Sequence, residues 1–146
     1  MASLNESLRT LHRIHRQLTD LRDRLERGPR QSKAAEGAVK KTEGEVAAAK
    51  EAYRTAKIAS DDKQLQLKQR EARLADLQGK LFGAQSNREY QLLKEQMAAD
   101  NQANSVLSDE ILESLEKLDE LQANIKAAEE IHGKMKDELA KVRQRV

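Results

Sequence analysis

Histidines and arginines are the side chains in this sequence of 146 residues whose spacing first suggests chemistry. His12 and His15 lie three apart, and Glu129-x-x-His132 sets a carboxylate and an imidazole on one helix face. The second spacing is the one used in helical di-iron sites, which also need a second copy and two further glutamates. The residue expected to face His132 is Val39, which is no ligand, so His132 reads as a neutral, packed side chain. His12 and His15 sit among Arg9, Arg13 and Arg16, whose charge repels a cation. They read as the solvated face of a helix. With no cysteine there is neither a disulfide framework nor a thiolate metal site. A Gly-rich phosphate loop, a nucleophile elbow and a pocketed carboxylate pair are all missing. The expectation is a protein that is not an enzyme and has no cofactor in this chain.

Nucleic acid is the alternative. Arg9, Arg13 and Arg16, continued by Arg24, Arg27 and Arg30, could line phosphates. Against this, Asp20, Asp23 and Glu26 are interleaved, no aromatic residue accompanies them for base stacking, and the net charge is only +2. A nucleic-acid-associated coiled coil acting through this basic segment is therefore the second reading.

These residues must be positioned by helices. Charged residues make up 36% of the chain and aromatics 2%, a composition too poor in large apolar groups for an ordinary globular core. No apolar run approaches the roughly 20 residues that span a bilayer. The first residues lack the continuous apolar stretch of a secretory signal. A cytoplasmic protein without membrane association is expected.

Alternate steps of three and four from Tyr90 reach 16 positions, ending at Val142, and 12 of them are apolar. That pattern is the seam of a coiled coil. A weaker, small-residue stripe runs from Val39 through Thr42, Val46, Tyr53, Ser60 and Leu67 to Leu74, Leu77 and Leu81. Between the two stripes, Gly83 suits a positive-φ helix cap, and Ser86 with Glu89 forms a capping box, with Asn87 as the other candidate cap. A reversal centred on 83–87 would set Leu81 opposite Tyr90, Leu74 opposite Met97, and the off-pattern charges Arg70 and Asp100 opposite each other. Residues 1–60 carry 13 Lys/Arg against 8 Asp/Glu, and residues 91–146 carry 8 against 12. Oppositely charged arms favour pairing with each other.

A third stripe, Leu4, Leu11, Ile14, Leu18, Leu21 and Leu25, stops before Gly28-Pro29, a helix-stop or kink signal. Its partners in the hairpin register would fall past Val146, as though the segment pairing with it were missing. It is expected to fold back on Ala34, Ala38 and Ala48 or to pair with a second molecule as a homodimer. The expected fold is all-α. Residues 1–27 form an N-terminal amphipathic helix, 28–31 a Gly-Pro kink or turn, and 32–146 an antiparallel coiled-coil hairpin with its turn near 83–87.

The stretch "SNREYQLLKEQM", followed by "LSDEILESLEKLDEL", resembles the bacterial coiled-coil hairpin proteins that end in a C4-type zinc ribbon. The family's tip pattern Asn-Arg/Lys-Glu-Tyr maps onto Asn87, Arg88, Glu89 and Tyr90, and its Asp/Glu-Glu-Ile-Leu segment onto Asp109 to Leu112. The resemblance spans the chain, and its specific residues are at the tip. It implies protein partners, among them the alternative enhancer-dependent sigma factor and flagellar export components. Zinc would enter only through a C-terminal ribbon that this chain does not contain. Phe82, Asn87, Arg88 and Tyr90 are the candidate partner-binding residues of the tip; Phe82 and Tyr90 also have a plainer reading, as closure of the hairpin end. The expected function is a spacer and protein-interaction module.

Overall fold

Both segments are built from Ala, Leu, Gln, Glu, Lys and Arg, the residues that lose least on entering a helix. The computed structural model describes residues 2–145 and contains two helices, α1 (Ala2–Phe82) and α2 (Asn87–Arg145). The fold is all-α. Gly83, Ala84, Gln85 and Ser86 connect the helices.

The helix does not end at Arg27: α1 continues through Gly28 and carries Pro29 inside it. A proline in a helix interior forfeits one backbone hydrogen bond and costs roughly 3 kcal/mol. Ending a helix and nucleating another within a few residues would cost more, because the first turn fixes several dihedrals for a single bond. Strong helix formers on both sides carry the helix through. The chain instead divides into two compact units, one combining residues up to Val46 with those from Ala127 onward, the other Ala47–Lys126.

Ala47–Lys126 is a helical hairpin. Its buried apolar side chains are Leu77, Leu107, Ile111 and Leu118. Ser60 is fully buried, and its hydroxyl lies 2.9 Å from that of Ser114. The polar groups form a directed chain. Ser114 donates to the Ile111 carbonyl at 2.7 Å, and the Gln64 amide donates to Ser60 Oγ at 3.3 Å. Ser60 then donates to Ser114, and no hydroxyl is left unpaired. Two serines in contact bring the backbones closer than leucines would. Lys63 pairs with Glu110 at 3.9 Å across the same interface.

These contacts correct the expected register. A reversal centred on 83–87 would set Ser60 opposite residues 110–111, and it instead meets Ser114, about one helical turn further along α2. The turn explains the shift. The Gly83 N–H donates to the Lys80 carbonyl at 3.1 Å and the Ala84 N–H to the Leu81 carbonyl at 3.3 Å. These three-residue bonds wind the chain on past Phe82. No residue among those described takes a positive φ, so Gly83 is not the left-handed cap its type suggested. The second helix therefore starts further along the direction of α1, and each facing pair moves with it.

In the other unit Thr42 is buried, with its Oγ1 2.9 Å from His132 Nδ1. That hydroxyl also reaches the Ala38 carbonyl at 2.9 Å. Thr42, not Val39, is the partner of His132. Arg143 pairs with Glu36 at 3.3 Å. The leucines ahead of Gly28 do not fold back: Leu11 is 65% and Leu25 73% exposed.

The register is open to a direct test in a chain that has no native cysteine. Ser60→Cys with Ser114→Cys should close a disulfide within one molecule under dilute oxidising conditions. Ser60→Cys with Glu110→Cys should not, and peptide mapping that found the second link would reinstate the tighter turn.

Candidate functional site

The tip is assembled by its caps. Ser86 Oγ accepts the Glu89 N–H at 3.1 Å, and the Ser86 carbonyl accepts the first intrahelical bond from Tyr90 at 3.0 Å. Ser86 is thus the cap and Asn87 the first residue of α2. The Glu89 carboxylate reaches back to the Gln85 N–H at 3.4 Å, one residue beyond the usual capping-box partner. These bonds hold the start of α2, from which Asn87 and Arg88 extend, both exposed.

The two aromatics part company. Tyr90 lies on the seam, half-buried, with Lys94 Nζ 5.1 Å from its ring centroid. It closes the hairpin end, and the ammonium over its ring adds a modest attraction. Phe82 follows Leu81, the last seam residue of α1, and one step around a helix turns it away from α2. It is 84% exposed. Closure therefore explains Tyr90 but not Phe82. Leu92 is a further exposed apolar residue near the tip, absent from the sequence candidates. Its position two after Tyr90, off the seam, was the signal that marked it.

The expected Arg70–Asp100 pair is not made. Arg70 is exposed and Asp100 half-buried, and among the described residues no ion pair joins them. In the observed register Asn104 takes the position opposite Arg70. Asn104 is only 8% exposed, and neither atom of its amide has a hydrogen-bond partner. A polar side chain at a seam position selects register at a cost in stability.

Arg9, Arg13 and Arg16 are exposed and share one side of α1 with Asp20, opposite the leucine stripe. Helical spacing alone brings them together, and the acid within the row dilutes its field. Among the described residues there is no group of three or more His, Asp or Glu side chains placed to hold a metal ion. No helix among those residues is long and apolar enough to cross a membrane. Searches found no match among family models, curated proteins or solved structures.

The buried amide of Asn104 gives a stability test. Burying a polar group without a partner costs roughly 1–3 kcal/mol, so Asn104→Leu should stabilise the fold by about 1 kcal/mol or more in urea denaturation. Unchanged or lowered stability would mean that the amide is satisfied in solution.

Proposed function

We propose that the chain is a non-enzymatic antiparallel coiled-coil spacer that docks a protein partner at its hairpin tip. The single observation behind this reading is Phe82, a large aromatic left 84% exposed next to a turn that is itself well capped. A turn needs no exposed phenylalanine. Aromatic and arginine side chains carry much of the energy of protein interfaces, and Arg88 is the exposed arginine of the same tip.

Coiled-coil packing is supported by the burial pattern. All 16 seam positions of α2, from Tyr90 to Val142, are buried or half-buried. On α1 the seam from Val39 to Leu81 is likewise withdrawn from water except at Arg70. Gly28-Pro29 is the natural place for the axis of α1 to bend, since proline removes a bond there. By resemblance the partner belongs to bacterial transcription or flagellar assembly, with the alternative enhancer-dependent sigma factor the first to try. Zinc would be held by a ribbon outside this chain, and the working compartment is the cytoplasm.

Titration of immobilised chain with that sigma factor, followed by flagellar export components, tests the reading. Phe82→Ala with Arg88→Ala should weaken capture about tenfold or more while helix content by circular dichroism stays at the parent value. Tyr90→Ala should lower both capture and stability. Equal capture by the double variant and the parent would reduce the tip to a turn.

A further inference from the structure

The N-terminal part of α1 holds a continuous row of exposed apolar residues. Leu4, Leu11, Ile14, Leu18, Leu21 and Leu25, with Leu8 beside them, are each between 46% and 73% exposed. They are not a random scatter. Continuing the seam of Val39 and Thr42 backwards in steps of three and four lands on Gly28, Leu25, Leu21, Leu18, Ile14, Leu11, Ser7 and Leu4. Because α1 is unbroken through Pro29, this stripe is the same helical face that packs on α2 further along. The described part of α2 ends at Arg145, whose side chain lines a groove with Leu21, Leu25 and Gly28.

We propose that this face pairs with the same face of a second copy, antiparallel, about a two-fold axis between Ile14 and Leu18. The stripe is self-complementary in that direction. Leu11 then meets the second copy's Leu21, and Ile14 meets its Leu18. At the margins large residues meet small ones: Leu25 covers the second copy's Ser7, and Leu4 enters the groove over its Gly28. Ser7 brings no unpaired donor to this contact, because its hydroxyl bonds the Ser3 carbonyl at 2.9 Å. Leu8, one step off the stripe, falls beside the second copy's Arg22, whose aliphatic stem can cover it.

A parallel pairing would set Ser7 on Ser7 and Gly28 on Gly28, leaving gaps at both ends. The exposed apolar area of two copies is on the order of 1,000–1,500 Å², enough to form the core of a stable interface. A membrane surface is the other chemistry that suits an amphipathic basic helix. The regular seam spacing, with Glu26 on its flank and Asp20 and Asp23 among the arginines, favours a helix partner over an anionic one.

Light scattering on the full chain through the micromolar range should give twice 16.5 kDa. Leu11→Glu with Leu18→Glu should halve that mass while the mean helical signal is largely kept. Cysteines fix the direction while the central Leu11, Ile14, Leu18 and Leu21 are kept: Ser7→Cys with Leu25→Cys should form disulfide-linked dimers, and neither single variant should. A monomer at every concentration overturns the pairing, as does a Ser7→Cys single variant that crosslinks to itself. Co-sedimentation of a monomeric chain with phosphatidylglycerol vesicles would likewise overturn it, in favour of a membrane surface.

Discussion

Each helix of this protein has one continuous apolar stripe, with scattered apolar residues such as Ile58, Leu65 and Leu112 among the polar and charged ones elsewhere, so it leaves water along that stripe. Fully burying a Leu or Ile contributes about 1.5–3 kcal/mol, and the chain has few such residues to place. Leu77, Leu107, Ile111 and Leu118 are the apolar side chains withdrawn almost completely, while most of the seam is half-covered by its partner helix. Exposed ion pairs such as Arg143 with Glu36 add little by comparison. Stability is therefore spread thinly along the seam, and polar groups that reach it matter out of proportion to their number.

Those polar groups act as register marks. Ser60 with Ser114, and Thr42 with His132, satisfy one another only when the helices are aligned as observed. A slip of one turn would part Ser60 from Ser114 and His132 Nδ1 from Thr42, and polar groups left without partners cost more than the paired ones return. Asn104 works by the opposite means, through a penalty that no neighbouring side chain relieves. The caps at Ser86 and Glu89 set where α2 starts, and the serine and threonine pairs hold the alignment that this start imposes.

The same rule explains what is left over. Among the described residues the leucines of α1 ahead of Gly28 remain in water, and where the seam ends at the tip, Phe82 does. Both surfaces are apolar groups for which the hairpin has no second stripe. Arg9, Arg13 and Arg16 differ in kind, since their side of α1 is solvated wherever the leucines lie.

Periodicity is a local property, so the sequence alone determined that the chain is built of long helices, where it reverses, and which face of each helix is apolar. Every seam position read from Tyr90 to Val142 is withdrawn from water. Ser86 as a cap was equally legible, because capping involves only the next few residues. The alignment of the helices was not, since it depends on how far the turn travels before α2 begins. Gly83 as a residue type suggested a left-handed cap, whereas the backbone winds on through three-residue bonds and moves every facing pair by about a turn. Pro29 likewise signals a stop, but the outcome depends on a balance between one lost bond and a costly new nucleus that residue identity does not state. The fate of Arg70, Asp100, Asn104 and Phe82 followed from that geometry. A stripe specifies a face, and only the packed pair decides which residue on the opposite face it meets.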